Sequence, residues 1–181
     1  QESLLKLIDI CEVPLYVDTV SVTHADKIKG HLKGIDTLKP NLLEAEFLTD
    51  MIIESEYDCL EAARALIDQG VRRVFISMGP HGMIAADKDH AIMVDRYPVT
   101  VRCTTGAGDS AMAAIVWSTL NEDEEGDGLV APAKAANAAA SATISVDATI
   151  HPEMSDKLIK KKIKEHNVTV REIEEYREGE Y

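Results

Sequence analysis

Short apolar runs alternate with helix-spaced segments along most of this chain, and that alternation restricts its fold more than any other feature. Leu4 to Cys11 has helical apolar spacing, and Val13-Pro14-Leu15-Tyr16-Val17-Asp18 reads as a short buried strand ending in an acid. A short helix is expected over Asp26 to Leu32, a strand over Ile35 to Leu38, and a helix over Leu42 to Leu48 that Asn41 is suited to cap. Tyr57 to Gln69 is an amphipathic helix stopped by Gly70, and Arg72 to Ser77 is a strand that runs into a Gly-Pro-His-Gly turn. Met83 to Ala86 and Ala91 to Val94 read as antiparallel strands. Helices follow over Ala107 to Leu120, over Val130 to Val146, and in a terminal amphipathic stretch carrying Lys160-Lys161-Lys162. The pattern implies an α/β fold, a mainly parallel central sheet covered on both faces. Ligands of such sheets collect at the carboxyl ends of the strands, so the informative loops are those that follow strands.

At 181 residues the chain can bury one substantial core, and the expected division is a folded part over residues 1–165 and a charged, glutamate-rich tail over 166–181. A net charge of -13 argues against nucleic acid or an anionic membrane as partner, since both need a basic face. The longest apolar stretches, such as Ala135 to Val146, are broken by polar residues well short of a membrane span. The first six residues lack the features of a secretion signal, and a start within a helix leaves room for an upstream region. Three dispersed cysteines fit a reducing compartment, with cytoplasm the expected location. The histidines show no metal-binding spacing. The acidic run Glu122 to Glu125 reads as a solvated loop and the lysine run as a solvated helix face.

The chemistry concentrates in Thr104-Thr105-Gly106-Ala107-Gly108-Asp109-Ser110, small residues leading directly into a helix. Backbone N–H groups at a helix start are unpaired and partially positive, and glycines let a phosphate approach them, so Gly106, Ala107 and Gly108 form a candidate anion hole. Asp109 taken alone is an ordinary first-turn acid. Beside an anion hole, its carboxylate is placed to accept a hydroxyl proton during phosphoryl transfer. No Gly-x-x-x-x-Gly-Lys-Ser/Thr occurs, so the phosphate cradle is not of the P-loop type.

That run closely resembles the carboxyl-terminal signature of PfkB/ribokinase-family kinases. Lys39-Pro40-Asn41-Leu42-Leu43-Glu44 resembles the family's Asn-x-x-Glu motif, which implies that Asn41 and Glu44 organise magnesium; as bare sequence, the same pair is a capping box. Ser77-Met78-Gly79-Pro80-His81-Gly82 resembles the nucleotide-side turn, implying nucleotide contacts at Ser77, Gly79 and Gly82, and Asn137 falls where the family lines its adenine pocket. A plain hairpin turn and an interhelix polar contact explain these two equally well. The resemblance implies a ribokinase-like three-layer α/β/α fold, of which residues 1–165 are the carboxyl-terminal part, with the amino-terminal half and its β-sheet lid missing. It also implies ATP and Mg2+ as cofactors, a sugar or nucleoside substrate, and a homodimer in the complete protein. Cys103 stands where relatives with a monovalent-cation site commonly carry a backbone or acidic ligand environment, so a monovalent cation stays open. Val17 to Ser21, Thr37 to Asn41 and Thr104 to Asp109 together look most like the family members that phosphorylate the 5'-hydroxyl of pseudouridine. Ribokinase-like, adenosine kinase-like and other sugar kinase readings stay open, as does a non-catalytic nucleotide-binding module.

Overall fold

The computed structural model describes residues 2–121 and 128–173; the acidic run Glu122 to Glu125 lies outside them. The chain order is α1 (Glu2–Ile10), β1 (Tyr16–Asp18), α2 (Val22–Ala25), β2 (Thr37–Lys39), α3 (Leu42–Thr49), α4 (Glu56–Asp68), β3 (Arg73–Ser77), a 3-10 turn (Gly79–His81), β4 (Met83–Ala86), β5 (Ala91–Val94), α5 (Ala107–Asn121), α6 (Val130–Ile144), α7 (Asp156–Glu165) and β6 (Val170–Glu172). These elements fall into two compact units. One comprises the described residues of Gln1–Ile76, Ile84–Met93 and Arg171–Tyr181, the other Ser77–Met83 and Val94–Val170.

The first unit is built on the sheet, whose six strands lie side by side in sequence order. β1, β2 and β3 are parallel, with Asp18 opposite Lys39 and Leu38 opposite Val74. The connections from β3 to β4 and from β4 to β5 are too short for a parallel crossover, so these neighbours run antiparallel. β6 is also antiparallel to β5: Ile173 N–H donates to Ala91 O, and Asp95 N–H to Thr169 O. The parallel part expected from the sequence is therefore β1 to β3, extended by antiparallel strands. Every residue of β4 and β5 is buried, as befits apolar runs with no polar alternation.

Local chemistry explains where these elements begin. The strand expected from Val13 starts only at Tyr16, because Pro14 has no N–H to give a ladder and restricts the residue before it. The helix expected over Asp26 to Leu32 is absent. The helix is instead α2, where Ser21 Oγ accepts from His24 N–H, and beyond it the backbone continues in turns such as Ile28 N–H to Ala25 O. The second strand lies slightly later than Ile35 to Leu38, and Asp36 at its start clamps two arginines: Arg72 at 2.7 Å and Arg73 at 2.8 Å. Val170–Glu172, expected within a charged tail, forms β6, and Arg171 pairs with Glu56 of α4.

The second unit packs α5, α6 and α7. Alanines at 133, 135, 136, 138, 139 and 142 of α6 are buried, and such small side chains let helix backbones approach closely. Tyr97 is fully buried among Ala114 of α5, Ala135, Ala138 and Ala139 of α6 and Ile159 of α7. Lys162 on α7 donates to Ser141 Oγ at 3.2 Å, and burial pushes its ammonium pKa down. Among the described residues no helix is long and apolar enough to cross a membrane.

Candidate active site

Eight of the ten residues singled out from the sequence lie in the second unit, and only Asn41 and Glu44 in the first. In the second unit, Gly106 makes the turn that starts α5. Its φ is +80°, and a Cβ there would sit 1.8 Å from Thr149 O, so neither conformation nor space admits a side chain. Ser110, buried on the first turn, shares a 2.7 Å hydrogen bond with Thr143 Oγ1 of α6, and Ser110 N–H donates to Gly106 O. These contacts hold the helix start in place. Beyond it, the N–H groups of Gly108 and Asp109 have no hydrogen-bond partner among the described residues, and Gly108 and Asp109 are both exposed. The arrangement offers an anion two unspent donors at the positive end of a helix, next to an accessible carboxylate.

The turn after β3 also belongs to this unit. Met78 N–H donates to Gly82 O at 2.9 Å, closing Gly79–His81 into a tight loop. Gly82, at φ +92°, passes so near β5 that a Cβ would lie 2.2 Å from Val94 O. Asn137 of α6 reaches the same carbonyl: its Nδ2 donates to Val94 O at 3.0 Å and to Asp95 O at 3.2 Å. Gly82 and Asn137 thus converge on the end of β5, and the amide group of Asn137 is spent on backbone, which leaves its Oδ1 for any ligand. Its contact is helix to strand end, where the sequence suggested a contact between helices. Ser77 is half-buried at the end of β3.

In the first unit, Asn41 and Glu44 close a reciprocal capping box. Asn41 Oδ1 accepts from Glu44 N–H at 3.0 Å, and Glu44 Oε2 accepts from Asn41 N–H at 2.9 Å. A capping box accounts for that exchange, but capping acids need not be buried, and Glu44 is only 3% exposed. A second donor supports it: Thr19, after β1, gives its hydroxyl hydrogen to the same Oε2. Glu44 Oε1 has no hydrogen bond among the described residues and is not sealed from solvent. Close by in the sheet, the parallel register brings Asp18 beside Lys39, whose ammonium is buried and pairs with Asp18 Oδ2 at 3.2 Å. Asp18, Thr19 and Lys39 were not singled out from the sequence as site residues. The signal was available: Asp18 and Lys39 end adjacent parallel strands, where such sheets put their ligands.

Both arrangements suit ATP and magnesium. Unspent N–H groups and a turn closed to side chains fit a phosphate, and a carboxylate with one free oxygen fits metal-bound water. Among the described residues, no three His, Cys, Asp or Glu side chains cluster as a ready-made metal cage.

Known proteins resemble the chain along most of its length. Pseudouridine kinase of Escherichia coli K12 is 29% identical over 160 residues, 86% of this chain and 49% of that protein. An uncharacterized sugar kinase of the same organism, YeiI, is 39% identical over 110 residues, 60% of this chain and 30% of its own length. Arabidopsis thaliana ribokinase, solved with ribose and ATP, superposes with a TM-score of 0.70 at 26% identity, covering 89% of this chain and 51% of that one. The chain therefore spans about half of the length of two of these relatives and about a third of the other. The fold is the ribokinase-like α/β fold expected from the sequence. Residues 2–157 match the pfkB family of carbohydrate kinases, and the chain belongs to that family.

Proposed function

We propose that this chain supplies the nucleotide-side part of an ATP-dependent small-molecule kinase that transfers the γ-phosphoryl group to a sugar or nucleoside hydroxyl, with the 5'-hydroxyl of pseudouridine the preferred acceptor. One observation carries the reading: in a pfkB-family chain, the exposed Asp109 carboxylate stands beside two unspent N–H groups at a helix start whose geometry Gly106 and Thr149 enforce. The acceptor oxygen forms its bond to the γ-phosphorus as the bond to the leaving ADP breaks, and Asp109 takes the hydroxyl proton. The N–H groups of Gly108 and Asp109 stabilise charge on the phosphoryl oxygens, and of the expected anion hole Ala107 N–H is spent on Thr104 O at 3.4 Å. Asn41 and Glu44 would hold magnesium-bound water, and the ion would supply charge that offsets the phosphates. Ser77, Gly79 and Gly82 would face the nucleotide, with Asn137 Oδ1 towards the base. The similarity to pseudouridine kinase over 86% of the chain supports the acceptor. We place the complete protein in the cytoplasm as a homodimer with a small-molecule substrate and no nucleic-acid or membrane partner, in keeping with its net charge of -13.

The test is to assay the complete protein with ATP and magnesium, with and without potassium, on pseudouridine, uridine, adenosine, ribose and fructose. Phosphorylation of pseudouridine supports the full reading; turnover of another acceptor only moves the specificity within the family. If none is phosphorylated, the chain is a nucleotide-binding module and the kinase reading fails. Asp109→Asn is expected to lower kcat by about 10²-fold or more while nucleotide binding persists.

A further inference from the structure

The turn between β1 and α2 is built in a way that the fold does not require. Val20 has a φ of +61°, and Ser21 N–H donates to Thr19 O at 2.6 Å. A hydrogen bond spanning two residues around a positive φ is a γ-turn of the rare, strained kind, and a β-branched residue is the least suited to occupy it. Val20 gains nothing from burial, because its side chain is 68% exposed. Something else must hold the turn. Its neighbours supply the bonds: Val20 N–H donates to Asp18 Oδ1 at 3.3 Å, Asp18 is tied to buried Lys39, and Ser21 caps α2. The turn delivers one side chain inward, that of Thr19, which is 2% exposed and donates to Glu44 Oε2 across 25 residues of sequence.

Resting on the reading of Glu44 as a magnesium-side acid, we propose that Thr19 is a positioning residue and that the strained turn at Val20 exists to seat it. Thr19 and the Asn41 N–H both bond Oε2, which fixes the carboxylate plane and leaves Oε1 as the oxygen presented to metal-bound water. The capping box alone supplies only one of these restraints, and a carboxylate held at one point can swing. Thr19 spends its hydroxyl hydrogen on Oε2 and so acts through Glu44. A backbone held in a sparsely populated conformation by surrounding bonds is a frequent mark of a functional site.

A double-mutant cycle on the complete protein separates this role from simple packing. The probe is Mn2+, titrated in the presence of a non-hydrolysable ATP analogue and followed by electron paramagnetic resonance, with the magnesium activation constant measured alongside. Thr19→Val, which keeps the volume and removes the hydroxyl, is expected to weaken Mn2+ binding roughly ten-fold, in line with the loss of a hydrogen bond to a charged group. Thr19→Ser is expected to restore it. In a Glu44→Gln background, Thr19→Val is expected to add nothing. If Glu44→Gln weakens Mn2+ binding but Thr19→Val has no effect, or adds its full effect in both backgrounds, the positioning role is refuted and the kinase reading stands. If Glu44→Gln itself leaves Mn2+ affinity unchanged, the metal reading of Glu44 falls and this inference with it. Should Thr19→Val not fold, Thr19→Ala enters the same cycle in its place.

Discussion

Gly106→Ala and Gly108→Ala distinguish a glycine that the protein needs from one that its ligand needs, though the two stand only two positions apart. At Gly106 an alanine meets two penalties. Holding a residue with a Cβ in the left-handed region costs about 1–2 kcal/mol. The new Cβ would also lie 1.8 Å from Thr149 O and 2.8 Å from Thr149 C, so backbone must move. Forced shifts of that kind cost about 1–3 kcal/mol. The sum, about 2–5 kcal/mol, is a large share of a domain's marginal stability of about 5–15 kcal/mol. For a chain of this size it corresponds to a fall in Tm on the order of 10 °C. Gly108 is not among the glycines with positive φ, so alanine meets no backbone penalty there. Its Cβ would instead stand beside the unspent N–H groups, where a phosphate has to come close. Gly108→Ala is therefore expected to keep its Tm within a few degrees and lose nucleotide affinity, whereas Gly106→Ala loses stability first. Urea melts and calorimetric titration with an ATP analogue read the two effects separately. A Gly106→Ala protein as stable as the parent would refute the packing argument, and unchanged nucleotide affinity in Gly108→Ala would refute the anion hole.

Asn137→Leu removes the donor that serves both Val94 O and Asp95 O, and the loss of two hydrogen bonds is expected to cost about 1–3 kcal/mol in a denaturant melt, whether or not nucleotide is present. A stability loss that appears only with nucleotide bound would make Asn137 a ligand contact first. At Asp36, burial pushes the carboxyl pKa up, but hydrogen bonds from Arg73, Arg72 and Thr37 outweigh it and hold the value below the usual range. The folded pKa lies below the unfolded one, so the stabilisation is complete above about pH 4 and drains away as pH falls through the folded value. The stability gap between the parent and Asp36→Asn should accordingly close in acid; a gap constant from pH 6 down to pH 2 would contradict the clamp.

Much of this was legible where a single local rule decides the outcome. β4 and β5 are short apolar runs without polar interruption, and Asn41 with Glu44 spells a capping box, which the structure realises with both bonds. Glycines ahead of Asp109 announce a helix start with open N–H groups. What the sequence hid depends on partners distant along the chain. Thr19 and Lys39 lie in the runs Val17 to Ser21 and Thr37 to Asn41 that carry the resemblance, but neither declares its partner until β1 and α3 are brought together and the β1–β2 register sets Asp18 against Lys39. Asn137 reads as equally apt for a base or for a contact between helices, and the structure gives its amide to a strand end instead. β6 was missed because Val170-Arg171-Glu172 carries the charges that solvated tails and protected edge strands have in common.

That edge strand has a practical side. β5 is Ala-Ile-Met-Val, wholly buried, and β6 occupies its free side with a ladder that includes Ile173 N–H to Ala91 O. Without those few residues the strand would offer an apolar row of unpaired peptide groups to any other chain in solution, the template from which intermolecular sheets grow. Val170–Glu172 is thus a guard against self-association, and removing that short strand would trade a covered edge for a sticky one.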